Sequence, residues 1–211
     1  MPRPRRLFIP DQPQHVVVRG HNRDPVLQRA DDFRFLYQCL HEAALQHELV
    51  IHAWVFMHNH LHLLVTPVNA NSLSRCMQSV GRRYVQYFNR TYDRSGSLWE
   101  GRYKASLVEK EYYLLACYRY IELNPVRAGI VQKPGEFTYS SYHANALGVK
   151  DKLVTPHPVF VDLLGLNMQR QNYIDLFLEG ISNKEIKNIR KGTANGKGIG
   201  GTEFLARVAK L

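Results

Sequence analysis

Two β-rich runs separated by a short polar turn constrain the fold of this chain more than any other feature. Residues 49–56 and 60–66 carry mostly strand-forming side chains, and Pro67 ends the second run. Between the runs lie His58 and Asn59, and Asn tolerates the backbone angles that tight turns require. The pattern therefore predicts an antiparallel β-hairpin.

The first 145 residues alternate between strand and helix patterns. Further strands are predicted at residues 15–19 and 103–108, and helices at residues 33–44, 72–92 and 110–123, the last ended by Pro125. The resulting order is strand, helix, strand, strand, helix, strand, helix. This order is typical of a ferredoxin-like α+β fold, an antiparallel sheet with helices packed on one face.

The character of the chain changes near residue 145. We expect residues 1–145 to form the main domain and residues 146–211 to form a small helical C-terminal extension that is dispensable for folding of the first. Short helices are predicted near residues 158–165, 170–179, 183–191 and 202–210. Ser182 and Glu185 have the spacing of a capping box at the start of the third of these helices.

A glycine-rich stretch, GTANGKGIGG, spans residues 192–201 and is predicted to be a flexible linker. It bears a superficial likeness to a phosphate-binding loop. Only three residues separate Gly192 from Gly196, however, and Gly198 follows Lys197 where such a loop has Ser or Thr. The stretch is therefore not predicted to bind a nucleotide.

The amino-acid composition limits the kinds of protein that the chain can form and the partners that it can bind. Of 211 residues, 45% are hydrophobic and 11% aromatic, which is enough to form a buried core. Lys and Arg outnumber Asp and Glu by 28 to 18, and a net charge of +10 favours a polyanionic partner. The three cysteines, Cys39, Cys76 and Cys117, are scattered, which indicates packing roles in a reducing compartment. With neither a signal peptide nor a long apolar run in the sequence, we expect a cytoplasmic protein without a membrane partner.

The sharpest local feature is the His60-Leu61-His62 triplet in the second hairpin strand. Because successive strand residues point to opposite faces, His60 and His62 share one face and Leu61 takes the other. Two such imidazoles can bind one divalent ion, although an isolated pair is more often ordinary strand polarity. His58 would join them, and favour zinc, if the strand ran straight through it, whereas a turn at Asn59 would aim His58 elsewhere.

A tyrosine-rich helix pattern leads up to Asn124. Tyr120 and Asn124 are four residues apart and therefore lie on one helical face. A phenol that attacks phosphorus beside a metal ion could share a helical turn with a ligand to that ion. Tyr113 faces nearly the same way but lies about 10 Å further along the axis, and Tyr118 points roughly 160° away, so we favour Tyr120.

Residues 75–104 combine basic and aromatic side chains with few acids. Guanidinium groups bind phosphates and exposed rings stack on unpaired bases, a combination typical of grooves for single-stranded nucleic acid. We expect about half of the aromatic side chains to face the core instead. The candidate DNA-binding residues are Arg75, Arg82, Arg83, Arg90, Arg102 and Lys104.

Five stretches of the chain match the motifs of a known family in the family's order. They read HVVVRGHNR, AWVFMHNHLHLLV, GSLWEGRYKASLV, YRYIELNPVRAGIV and YSSY, and span roughly residues 10–145. On these stretches the chain resembles the HUH single-tyrosine transposases, and within them the REP-associated tyrosine transposases of bacteria. Five motifs in register are far more specific than any one of them.

The resemblance implies a function and a set of site residues. His60, His62 and Asn124 would bind a divalent ion, Mg²⁺ or Mn²⁺, and Tyr120 would be the nucleophile. Members of the family cut single-stranded DNA beside hairpins, leaving a 5′-phosphotyrosine and a free 3′-hydroxyl. The resemblance also implies a bacterial protein associated with the nucleoid, and leaves open whether it is a monomer or a homodimer.

The chain departs from the family at one motif. Where the family commonly has Met-Pro-Asn-His, this chain has His58 in place of the proline, which leaves the identity of the metal open.

Two rival hypotheses for the function remain. One is a domesticated DNA-binding protein without catalysis, and the other is a zinc hydrolase that uses three histidines. The zinc hydrolase hypothesis lacks an evident acidic general base beside the histidines.

The charge of the segment beyond residue 150 suggests that this segment contacts DNA or covers the site.

Overall fold

The structure is a computed structural model that describes residues 7–110, 112–165, 170–178, 180–196 and 198–210. The strands are β1 (Gln14–Arg19), β2 (Leu49–Met57), β3 (His60–Pro67), β4 (Lys104–Val108) and β5 (Gly198–Ile199). The helices are α1 (Ala30–Gln46), α2 (Ser72–Thr91), α3 (Tyr112–Glu122), α4 (Asn124–Arg127), α5 (Tyr142–Asn145), α6 (Pro158–Leu164), α7 (Arg170–Leu178), α8 (Asn183–Asn195) and α9 (Thr202–Val208). Residues 111, 179 and 197, which fall within predicted elements, lie outside the described residues. None of the described helices is long and apolar enough to span a bilayer.

Within the described residues, the strands form one five-stranded sheet in the order β2-β3-β1-β4-β5. Neighbouring strands are antiparallel, except that β5 runs parallel to β4. β2 and β3 form the predicted hairpin, with Met57 opposite His60 and a turn at His58 and Asn59. The order of the first four strands is that of a ferredoxin-like fold, and the predicted α+β class is confirmed.

Alternation along the strands divides the sheet into two faces. We call the side that carries Val16, Val18, Leu61 and Leu63 the first face, and these four residues are buried beneath α1 and α2. Both helices belong to the ferredoxin-like core, because each connects two strands of the sheet. On this face the predicted packing of helices is observed.

The opposite side, which we call the second face, carries the buried side chains of Val55 and Leu64 beside His60 and His62, and Val55 of β2 lies directly opposite His62 of β3. α3 packs across β2 and β3 on this face, and α8 contacts β1 and β4 beside it. The sequence predicted helices on one face, and this detail is wrong. Strands that are apolar on both sides bury both, so Val55 and Leu64 also require a covering helix.

The C-terminal segment shares the core of the second face. Phe160, Tyr173 and Ile189 belong to the same buried cluster as the apolar side chains of α3. The Tyr173 hydroxyl donates a hydrogen bond to the buried carboxylate of Glu122, at 2.7 Å. Residues beyond 145 therefore supply part of the packing that holds α3 in place.

The glycine-rich stretch at residues 192–201 was predicted to be a flexible linker, which is wrong for the part that the structure describes. Its first residues form the last turn of α8, and its centre forms β5. A Cβ atom on Gly192 would lie 2.5 Å from Ile199 Cγ1 and 2.7 Å from the Gly198 oxygen. Glycine at this position therefore allows α8 to pack directly against β5.

Both edges of the four-stranded antiparallel part of the sheet, β2-β3-β1-β4, are hydrogen-bonded to other parts of the chain. β5 pairs with the outer edge of β4. On β2, the Phe56 N–H donates to the Tyr139 oxygen at 3.0 Å, and the Thr155 N–H donates to the Ile51 oxygen at 2.8 Å. Loop segments thus satisfy backbone groups that an edge strand would otherwise expose.

Candidate active site

A cavity of about 550 Å³ opens on the second face, at the polar end of β3. His60 and His62 line it, with ring centroids 5.0 Å apart and ring planes at 84° to each other. Leu61, between them, packs into the core of the first face. The structure therefore brings the two imidazoles together on one face, as the strand periodicity predicted.

Each of these imidazoles has a hydrogen-bond partner at its Nδ1 atom. His60 Nδ1 lies 2.6 Å from Asn59 Oδ1, and His62 Nδ1 lies 2.9 Å from His15 Nε2. Because the Asn59 oxygen can only accept, His60 carries its proton on Nδ1 and keeps a lone pair on Nε2. Hydrogen bonds from neighbouring groups to the other ring nitrogen commonly orient a metal-binding histidine in this way.

Burial sets the protonation state of the pair. Loss of solvent lowers the pKa of His60 to about 4, and the charges of Arg19 and Arg127 act in the same direction. Burial also lowers the pKa of His62 well below its usual value. Both rings are therefore neutral near pH 7, which is the state in which histidine binds a metal ion.

Tyr120 and Asn124 line the same cavity. The predicted single helix is interrupted between them, since α3 ends at Glu122 and α4 begins at Asn124 with Pro125 in its first turn. Tyr120 is only 6% exposed, and its ring centroid lies 5.7 Å from that of His62. The break therefore does not separate the phenol and the amide from the imidazoles.

The other tyrosines of α3 lie elsewhere. Tyr118 is fully buried and stacks on Phe160, with ring centroids 5.1 Å apart. Tyr113 packs against the hydrophobic cluster of the second face. Among Tyr113, Tyr118 and Tyr120, it is Tyr120 that lines the cavity, and its role as the nucleophile stays a prediction.

His58 points away from the imidazole pair. Its Nδ1 atom lies 2.8 Å from the Leu27 oxygen, and its ring contacts Phe33 of α1, on the first face. Among the residues that the structure describes, no group of three or more His, Cys, Asp or Glu side chains could hold a metal ion. The turn at Asn59 therefore removes the three-histidine arrangement that a zinc site would require.

Arg127 is a site residue that the sequence reasoning did not single out. Its guanidinium carbon lies 4.1 Å from the centroid of the Tyr120 ring, and its Nη1 donates to the Tyr120 backbone oxygen at 2.7 Å. Its Nε atom is buried without a hydrogen-bond partner in the described part of the chain. In the sequence, Arg127 could have been singled out because it lies in the NPVR part of a stretch that matches a family motif.

The cavity is strongly basic. Its charged lining residues, within the described part of the chain, are Arg19, Arg102, Lys104, Arg127, Arg190 and one acid, Glu100. Such a surplus of positive charge around a concave site favours a polyanionic substrate. Arg190 comes from α8, so the C-terminal segment contributes charge to the site.

Three of the six candidate DNA-binding residues border the active-site cavity or a second cavity next to it. Arg102 and Lys104 line the cavity itself. Arg75 lies beside a neighbouring, more apolar cavity of about 410 Å³, which Arg102 also borders.

The remaining candidates lie on α2, outside both cavities. Arg82 and Arg90 are exposed. Arg83 forms an ion pair with Glu42 of α1, at 2.6 Å. Arg83 therefore bridges the two helices of the first face, and a role in DNA binding stays a prediction for all three.

The chain was compared with known families and solved structures. The sequence profile of the family described as "Transposase IS200 like" matches residues 10–124, more than half of the chain. No curated protein matches. The fold is similar to that of a REP-associated tyrosine transposase bound to a REP hairpin, with a TM-score of 0.57 and 19% identity over 74% of this chain and 93% of that one.

A second solved structure is that of a candidate transposase from Deinococcus radiodurans R1, with 22% identity over 52% of this chain and 88% of that one and a TM-score of 0.40. The structural likeness to the REP-associated enzyme agrees with the fold derived from the strands. The matched profile covers β1 to the start of α4, and so includes both histidines, the tyrosine and the asparagine of the cavity. The chain belongs to the family of IS200-like transposases.

Proposed function

We propose that the protein is a metal-dependent endonuclease and strand transferase for single-stranded DNA, which cuts beside hairpins through a 5′-phosphotyrosine intermediate. The observation that carries this proposal is that His60, His62, Tyr120 and Asn124 line one basic cavity. Family membership supports DNA cleavage as the activity. The structural relative bound to a REP hairpin supports hairpin DNA as the substrate.

The donor set fits a divalent ion. Two neutral imidazoles from His60 and His62 and an amide oxygen from Asn124 suit Mg²⁺ or Mn²⁺, and manganese tolerates nitrogen ligands better. When bound, such an ion acts as a Lewis acid toward a phosphate oxygen. The chain prepares the site by keeping both rings neutral through burial and by orienting them through Asn59 and His15.

The basic side chains and Tyr120 carry out the remaining steps. Arg127 and its basic neighbours bind the phosphate oxygens and offset the charge that develops on them. Tyr120 Oη attacks the phosphorus while the bond to the 3′-oxygen breaks. The phenol loses its proton and the departing oxygen gains one, which leaves a free 3′-hydroxyl and a 5′-phosphate on Tyr120. Attack by a 3′-hydroxyl reverses the step and joins strands without ATP.

A covalent-adduct assay tests the nucleophile. Hairpin DNA labelled on the 3′ side of the cut is incubated with protein and Mn²⁺, then run on a denaturing protein gel. Wild type should retain label as a slower-migrating band, and Tyr120→Phe should lose it while it keeps its fold and its DNA affinity. Tyr113→Phe is the matched control, because it removes the same oxygen from the same helix outside the cavity.

The outcomes of this assay separate the alternatives. An adduct that persists in Tyr120→Phe and disappears in Tyr113→Phe would overturn the assignment of the nucleophile. Cleavage without an adduct in any variant would favour water as the nucleophile. DNA binding with neither cleavage nor adduct, in wild type and with Mn²⁺ present, would favour a binding protein that has lost catalysis.

A further inference from the structure

A continuous chain of hydrogen bonds runs from α8 in the C-terminal segment to the ring of His62. Thr193 Oγ1 donates to the backbone oxygen of Ile189, 2.7 Å away, and lies 3.0 Å from His15 Nδ1. His15 Nε2 in turn lies 2.9 Å from His62 Nδ1. The two ring planes are parallel to within 5° and their centroids lie 5.0 Å apart, a separation that fits a bond between ring nitrogens.

The chemistry of the groups determines the direction of this chain. The Ile189 oxygen only accepts, so the single hydroxyl proton of Thr193 points to it. Thr193 Oγ1 must then accept from His15, which places the His15 proton on Nδ1 and leaves a lone pair on Nε2. That lone pair accepts the Nδ1 proton of His62. The lone pair of His62 Nε2 is then the one left for a ligand in the cavity.

We propose that His15 and Thr193 are positioning residues that fix the tautomer of His62, so that its Nε2 lone pair is available to a metal ion. This rests on the proposed function, in which His62 is a metal ligand. The C-terminal segment thereby becomes part of the metal site, since Thr193 lies in α8. His60 needs no such chain because the side-chain oxygen of its neighbour Asn59 accepts the Nδ1 proton directly and so fixes the tautomer of His60.

Loss of the Thr193 hydroxyl would release this constraint. His15 could then carry its proton on Nε2 and donate it to His62 Nδ1, which keeps the hydrogen bond between the rings. The His62 proton would move to Nε2, the atom that must be free to bind a metal ion. Thr193→Val is therefore expected to add a second, non-binding tautomer without a loss of packing volume.

Nitrogen chemical shifts of the histidine rings test the tautomer directly. Full-length protein labelled with ¹⁵N-histidine is measured near pH 7 without metal or DNA, and the resonances of His62 are assigned by their loss in His62→Asn. Wild type should show His62 protonated on Nδ1, and Thr193→Val should show partial protonation on Nε2. Thr193→Ser, which retains the hydroxyl, should restore the wild-type pattern.

Mn²⁺ affinity provides a second readout. Loss of a group that hydrogen-bonds to a metal ligand typically weakens metal binding by about 10- to 100-fold, and we expect Thr193→Val to fall near the lower end. Thr193→Ser should bind Mn²⁺ like wild type. The matched control is Thr138→Val, because Thr138 is exposed and borders a different cavity.

Two results would overturn the proposal. One is His62 protonated on Nε2 in wild type, and the other is a tautomer and an Mn²⁺ affinity that do not change in Thr193→Val. Since the tautomer is read without metal or DNA, these failures are distinct from failure of the proposed function. A wild-type protein with the expected tautomer and Mn²⁺ affinity but no adduct would contradict only the nuclease assignment.

Discussion

The two faces of the sheet are built in different ways. The first face carries mainly apolar side chains, and α1 and α2, which join consecutive strands, cover most of it. The second face carries the apolar side chains of Val55 and Leu64 but also His15, His60 and His62, with His15 opposite Leu64 and His62 opposite Val55. Its covering helices, α3 and α8, come from later in the chain.

On β3, the side chains that stabilise the fold and the side chains that line the candidate site point to opposite faces. β3 sends Leu61 and Leu63 into a closed core and His60 and His62 into an open cavity. The core requires only apolar side chains of suitable volume, whereas the cavity requires named groups with defined partners. Substitutions on the two faces should therefore fail in different ways.

Substitutions of two neighbouring residues of β3, one on each face, should give the largest difference between the effects on nicking and on stability. His62→Ala removes a proposed ligand, and we expect it to abolish nicking while DNA binding changes little and loss of the buried hydrogen bond to His15 costs only about 1–3 kcal/mol of stability. Leu63→Ala removes a fully buried side chain from the first face, and should cost about 2–5 kcal/mol of stability while the folded fraction still nicks. Nicking and urea unfolding are measured on both variants, and wild-type nicking by His62→Ala would show that the site is misplaced.

Removal of the C-terminal segment tests how far the second face depends on late residues. The sequence led us to expect that residues 1–145 fold without it. The structure shows Phe160, Tyr173 and Ile189 in the shared core, so we now expect a protein truncated after residue 145 to lose cooperative unfolding. Thermal unfolding followed by circular dichroism measures this, and a truncated protein that melts sharply would restore the original expectation.

The smallest expected effect concerns DNA affinity. Arg102→Ala and Lys104→Ala remove charges from the cavity, and each should reduce the slope of log affinity against log salt by up to about 0.7 for single-stranded DNA. Arg83→Ala is the comparison from the first face: Arg83 is also a candidate DNA-binding residue, but its ion pair with Glu42 leads us to expect a smaller reduction of the slope. Binding titrations at several salt concentrations give these slopes, and equal reductions in all three variants would mean that DNA also crosses α2.

Local patterns in the sequence predicted much of the molecule. The hairpin, the shared face of His60 and His62, and the capping box of Ser182 and Glu185 are all observed. Each depends on residues that are close together along the chain. Strand alternation and helix capping act over two to four residues, so they can be read without the fold.

Contacts between distant segments could not be predicted in this way. Thr193 reaches His15 across 178 positions, and no spacing rule connects them. Arg190 enters the cavity for the same reason, because α8 docks beside β4. The glycine-rich stretch was misread as a linker because close helix packing and flexibility both favour glycine, and only the fold distinguishes them.

The occupied edges of the sheet bear on how the protein associates with copies of itself. Exposed edge strands commonly recruit a further strand, which produces edge-to-edge dimers or aggregates. Here β5 covers one edge, and the segments that contain Tyr139 and Thr155 hold backbone groups of the other. Self-association by continuation of the sheet is therefore blocked at both of these places. A homodimer that extends the sheet would have to add its strand to the outer side of the two-residue β5, and otherwise it would form through side chains on helical or loop surfaces.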